Sequence, residues 1–149
     1  MSLDLLPDLR DSVLEITGVT AELAAWNEEP AVFTRRPAPQ DAEFPICMIS
    51  APVNLTDQDG LSVQRPVLSH QIAFYGNKGA PGSEQDQTRA VERAAFAARQ
   101  HFHRNRFSVQ PTGYYVIDVR VRGPVPAPVD DENKVGRVLT VQVRLGEKS

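Results

Sequence analysis

Tyr115-Val116-Ile117-Asp118-Val119-Arg120-Val121-Arg122 and Val138-Leu139-Thr140-Val141-Gln142-Val143-Arg144-Leu145 are the two stretches that decide the fold. In the first, Tyr115, Ile117, Val119 and Val121 take one face while Val116, Asp118, Arg120 and Arg122 take the other, the period of two of a half-buried strand. In the second, Leu139, Val141, Val143 and Leu145 point inward and Thr140, Gln142 and Arg144 outward. Joined through residues 123–136, they read as an antiparallel hairpin with a long tip, and long connections in compact domains are usually functional or disordered. Pro124, Pro126 and Pro128 remove amide donors and stiffen the chain, so the tip is expected to leave the ladder and project from the sheet. Asp130, Asp131 and Glu132 place negative charge at its end.

The second informative element precedes the hairpin. Ser83 followed by Asp86 is a cap-like pattern opening a helix that runs to about Arg104. Val91, Ala94, Ala95, Ala98 and Phe102 build a narrow apolar stripe, widened by Ala90 and Ala97, and such small side chains let a helix lie close against a sheet. The opposite face holds Arg89, Glu92, Arg93, Arg99, Gln100 and His103 with Phe96 in their midst. A lone exposed aromatic needs no explanation; one flanked by arginines is also the composition of contact sites.

Upstream, Leu6, Leu9, Val13 and Ile16 have helical spacing, Pro7 is tolerated in a first turn, and Gly18 is expected to stop the helix. Thr20 is expected to cap a shorter helical piece through Trp26. Residues 31–34 and 45–50 read as strands, the second apolar on both faces and therefore central. Residues 55–65 read as a polar loop and 66–76 as a long strand. The order predicts an α+β domain over residues 1–149: a mainly antiparallel sheet, an N-terminal helix and one long central helix packed on it, and a C-terminal β-hairpin.

Bulk properties narrow the function. The 149 residues, 41% hydrophobic, suffice for one core. A formal charge of -3 argues against a surface built to neutralise phosphates. The basic helix face, with Arg104 and Arg106 beyond it, is the only positive cluster visible in the sequence, and Glu92 interrupts it. Cys47 is the single cysteine, so no intrachain disulfide is expected, and it reads as a small buried hydrophobe. The apolar start is broken by Asp4, Asp8, Arg10 and Asp11, which fits neither a signal peptide nor a membrane span.

No constellation with chemistry emerges. His101 and His103 stand two apart on a helix and so point to different faces, and His70 on its strand shares no ligand spacing with them. His70 is expected at an apolar face with a hydrogen-bond partner, or at a strand edge. There is no G-x-S-x-G turn and no Gly-rich phosphate loop. The expectation is no metal, no cofactor and no enzyme.

Ala31-Val32-Phe33, the proline-rich link into Phe44-Pro45-Ile46-Cys47-Met48-Ile49, the long strand from Val67 to Tyr75, the Ala-rich helix from Ala90 to Phe102 and the closing hairpin from Tyr114 to Leu145 together resemble the tail terminator and tail completion family of long-tailed phages. Related chains occur in phage-like gene transfer agents. The resemblance rests on element order and covers most of the chain; residues 123–136 are longer and more acidic than the family pattern. It implies a non-enzymatic virion protein, assembled in the host bacterial cytoplasm, that forms a homohexameric ring on the head-proximal end of the tail tube. The ring halts tube growth and docks to the head-side connector or stopper, while DNA passes through without specific binding. Another neck component, a connector or stopper, and, from a different class, a small enzyme with scattered residues are the competing readings.

A ring of identical subunits needs two different complementary patches on each chain. The candidates are the helix face of Arg89, Arg93, Phe96 and Arg99 and the acidic tip of Asp130, Asp131 and Glu132. The tip has three open roles: a subunit contact, an acidic lining of a channel that DNA crosses without sticking, or a solvated excursion.

Overall fold

The computed structural model describes residues 5–34, 39, 42–51, 54–59, 64–78, 86–129 and 133–147. Helix α1, Leu6–Leu14, buries Leu9 and Val13 and carries Pro7 in its first turn, where the missing amide hydrogen costs nothing. It ends at Glu15, and the extended backbone of Ile16 separates it from α2, Thr17–Thr20. Gly18 is therefore inside the second helix and not the stop expected of it. Its role is close packing: a Cβ there would stand 3.0 Å from the Cβ of Ala97 on the long helix.

The expected helical piece up to Trp26 is instead a tight hairpin of β1, Ala25–Trp26, and β2, Glu29–Pro30. Its turn holds Asn27 at φ 48° and Glu28 at φ 67°. Positive φ at both central residues suits the right-handed twist of a two-residue hairpin, a geometry that Asn-Gly adopts with least strain. Glu28→Gly should thus stabilise the protein by about 0.5–1 kcal/mol, because Glu pays a left-handed penalty that Gly does not; a higher urea midpoint at unchanged slope is the readout.

The main sheet is built on β6, Gln64–Asn77. One of its edges pairs antiparallel with β5, Asn54–Asp59, along residues 64–69 and with β4, Ile46–Ile49, along residues 72–75. Its other edge pairs with β8, Lys134–Glu147, which pairs in turn with β7, Tyr114–Pro126. The two-residue β3, Val32–Phe33, adds in parallel to β4, giving the order β3-β4-β6-β8-β7. The expected polar loop at 55–65 is thus largely strand: a polar sequence without alternation gives no periodic signal, and β6 supplies the ladder that makes it extended.

Helix α3, Thr88–Phe102, lies across β6, β7 and β8 and buries the expected Val91, Ala94, Ala95, Ala98 and Phe102. It ends two residues earlier than expected, where His103 turns extended and Arg104 takes φ 57°. Ser83 lies outside the described residues. At the helix start the Asp86 carboxylate accepts from the amide and hydroxyl of Thr88, which holds its pKa below the ordinary value. Gln87 ties the start to the sheet, accepting from the Asn77 amide at 2.8 Å and donating to the Phe44 carbonyl at 2.9 Å.

The helices and one sheet face enclose the main core, with Leu68, Ile72, Phe74, Val119, Val141 and Leu145 on the strands. β4 is covered on both faces, as its apolar run predicts: Cys47 and Ile49 join the main core, while Ile46 and Met48 join a smaller cluster with Ala31 on the other side. The architecture is α+β, with a mainly antiparallel sheet.

The hairpin departs from the alternation read along it. Register shifts fall between Val116 and Asp118 and between Arg122 and Val125. The first reverses the phase, so Tyr114 and Val116 pack on the core before it and Val119 and Val121 after it, leaving Tyr115 and Ile117 exposed. At the second, Gly123 takes φ 96° and the ladder resumes with Val125 opposite Val138 and Pro126 opposite Arg137. Pairing therefore continues past Gly123, and the projecting part is shorter than 123–136. Bulges absorb the prolines without ending the strand, because only the side of β7 facing β8 must donate.

Candidate functional site

The outer face of α3 was the first candidate. Arg89 is exposed, and Phe96, 56% exposed, sits amid charged neighbours. Arg93 already has a partner within the chain: its guanidinium donates to both carboxylate oxygens of Glu22, at 2.8 and 3.1 Å, which raises its pKa. Glu92 pairs with Arg137 at 3.0 Å. These are exposed pairs of small energetic weight.

Arg99 is half-buried and turned inward. Its Nη1 donates to the carbonyls of Val121 at 3.0 Å and Gly123 at 2.9 Å. The chain just past the helix continues this: His103 Nδ1 accepts from the Val121 amide at 3.1 Å, and the Arg104 amide donates to the Val119 carbonyl at 2.7 Å. β7 is the terminal strand of the sheet, and these are groups of its outer edge. The end of α3 therefore caps the middle of an edge strand that would otherwise offer a template to another chain. With the helix read through to about Arg104, Arg99 and His103 four residues apart were legible as neighbours; that His103 lies just past the helix end and that both meet a strand edge was not. Asp130, Asp131 and Glu132 lie outside the described residues.

The three histidines have separate surroundings. His70 is fully buried on β6, with Nδ1 2.8 Å from the Ser50 carbonyl oxygen. His101 Nε2 is 2.9 Å from Ser12 Oγ, which donates its own proton to the Ser108 carbonyl. Since that hydroxyl proton is committed, the imidazole donates and Ser12 accepts. Among the described residues no group of three or more His, Cys, Asp or Glu side chains could hold a metal ion. Cys47 is fully buried and desolvation pushes its thiol far up, so it is no nucleophile in the folded protein.

Burial lowers the pKa of His101, with Glu15 partly offsetting the effect. Because the unfolded chain then binds the proton more readily, stability is complete above the free histidine value of about 6.5 and declines as pH falls from there through the depressed folded value. His101→Gln keeps a donor toward Ser12 without titrating. Its urea midpoint should fall less than that of the wild type between neutral pH and pH ~5, within the window this depressed pKa opens.

A second positive cluster, missed in the linear sequence, stands on the uncovered face of the sheet. β-pairing sets Arg120 and Arg122 of β7 beside Arg144 of β8, all exposed, with Asp118 opposite Arg144 and 2.9 Å from Arg120. The helix face is thus not the sole basic surface.

At the start of β7, Arg106, Phe107, Gln110, Pro111, Tyr115 and Val116 bound a surface hollow of about 390 Å³. Phe107 is 69% exposed, and the Arg106 guanidinium lies 4.9 Å from its ring centroid. The Tyr115 ring is laid across Gly146, where a Cβ would overlap it. No helix among the described residues is long and apolar enough to cross a membrane.

No family model matches the chain, and no curated protein matches its sequence. Among solved structures, a chain of the structure titled "Virion of native gene transfer agent (GTA) particle" superposes with a TM-score of 0.74. The match covers 96% of this chain and 95% of that one at 12% identity, so the likeness is one of fold.

Proposed function

We propose that this chain is a non-enzymatic structural protein of a phage or gene-transfer-agent virion, of the tail terminator type. The observation that carries the reading is the fold match to a chain from a gene transfer agent virion over nearly the full length of both chains. The element order that resembles the tail terminator and completion family points the same way. In this reading residues 1–149 form a single domain, six copies close into a ring on the head-proximal end of the tail tube, and the ring stops tube growth and docks to the head-side connector or stopper. DNA crosses the ring without specific binding, no cofactor takes part, and the protein resides in the virion after assembly in the host cytoplasm. Arg89, Arg93 and Phe96 on α3, and Asp130, Asp131 and Glu132 between β7 and β8, belong to the contact surfaces, while Arg99 serves its own chain at the edge of β7.

Native mass spectrometry with negative-stain microscopy, together with capping of purified tail tubes, tests this. Hexameric rings that bind tube ends and block elongation are expected. A protein that neither oligomerises nor caps tubes overturns the reading, and density on the connector in assembled particles assigns it instead to another neck component.

A further inference from the structure

The two ends of β7 carry opposite surfaces. Its start borders the hollow described above, with Phe107, Tyr115 and Ile117 exposed by 69%, 46% and 37% and Arg106 over the Phe107 ring. Its far end carries Val125 and Val129, exposed by 52% and 40%, on a segment stiffened by Pro124, Pro126 and Pro128. Among the described residues these five and Phe96 are the large apolar side chains left in solvent. Tyr115 and Val125 are ten residues apart along one strand, roughly 30 Å, so neither end serves the other within a chain.

The two surfaces are complementary in chemistry and charge. The hollow is concave and lined by Phe, Tyr and Arg, the residue types that dominate contact energies. The described part of the hairpin end is aliphatic and stiffened by prolines, so little ordering entropy opposes its docking. Arg106 is exposed and borders the hollow, while Asp130, Asp131 and Glu132 follow Val129 directly in the sequence. The α3 face is a poorer receptor for that tip, because Arg93 and Arg99 already have partners in their own chain.

We propose that the hollow at Phe107 receives the Val125–Val129 end of the β7–β8 hairpin from a second copy of this chain. The contact is head-to-tail, and repeating it closes a ring or continues as a filament. The inference rests on the self-assembly reading for the identity of the partner and goes beyond it in naming the two surfaces.

The test mixes purified Phe107→Cys with purified Val129→Cys under mild oxidation; the native Cys47 is buried and does not compete. A disulfide-linked dimer in the mixture, well above the level of either protein alone, is expected. Phe107→Asp, at a position exposed enough to fold normally, should weaken self-association at least tenfold, as loss of a central aromatic contact does. Oligomers that persist with Phe107→Asp and give no mixed cross-link overturn the inference while leaving the ring reading intact. With both cysteines in one chain, the Phe107→Cys/Val129→Cys double variant can link on both sides, and open cross-linked ladders without a closed species support the inference and tell against the ring. A monomer that gives no cross-link overturns it as well, and tube capping by that monomer shows that the functional reading survives separately. Where the wild type is itself a monomer that caps tubes, loss of capping on Phe107→Asp overturns the second-copy assignment by showing that the hollow serves a different chain.

Discussion

Replacing Arg99 by Ala is expected to destabilise the isolated chain by about 2–3 kcal/mol, since it removes two hydrogen bonds from a charged donor at a half-buried site. The full sum of two charged bonds is not expected, because partial exposure lets water replace part of what is lost. A second consequence follows from place. The Val121 and Gly123 carbonyls lie on the outer edge of β7, so their release uncovers part of an edge strand and should promote aggregation at high protein concentration. Arg99→Lys should recover only part of the stability, because its shorter stem and rotating ammonium do not hold the two fixed N–H directions that Nη1 aims at both carbonyls. Urea melts of the wild type and both variants, with light scattering, provide the measurement. If Arg99 acted only between subunits, the Ala variant would melt with the wild-type midpoint at a concentration where both are monomeric.

Phe102→Ala should cost more, about 3–5 kcal/mol, the range for deleting a buried aromatic ring and leaving a cavity that its neighbours only partly fill. Phe102 is completely buried in the main core at the C-terminal end of α3, with the His101 ring edge-on at 5.0 Å. The stripe before it consists largely of alanines, which contribute little area each, so Phe102 is the large anchor of that helix. Against a typical domain stability of about 5–15 kcal/mol, this loss leaves a marginal protein. A large fall in urea midpoint is expected, and Phe102→Leu should retain much of the difference. A change within 1 kcal/mol would show that the end of α3 is held by the Arg99, His103 and Arg104 contacts instead.

Local pattern explains what was legible beforehand. The 3.6-residue recurrence of Val91, Ala94, Ala95, Ala98 and Phe102 placed α3 and its buried face, and Leu139 to Leu145 placed β8, because each period is a property of one element alone. The apolar run at Ile46 to Ile49 announced a strand covered on both faces for the same reason. Cys47 was legible as core because it stands inside that run.

Tertiary structure decided the rest. A bulge leaves no mark in a run such as Tyr115 to Val121, since the extra residue is defined only by the partner strand; here it turns Tyr115 and Ile117 outward and makes the hollow possible. β5 is extended because β6 pairs with it, whereas its own polar sequence has no period to read. Arg99 looked like a surface charge from its helical phase, yet a long side chain at the edge of a stripe reaches whichever groups the neighbouring strand presents, and β7 presents carbonyls. Periodicity by itself determined the α+β class, the helix faces and most of the core. Pairing register and the approach of α3 to the edge of β7 decided which charges are spent within the chain and which apolar side chains remain for a partner.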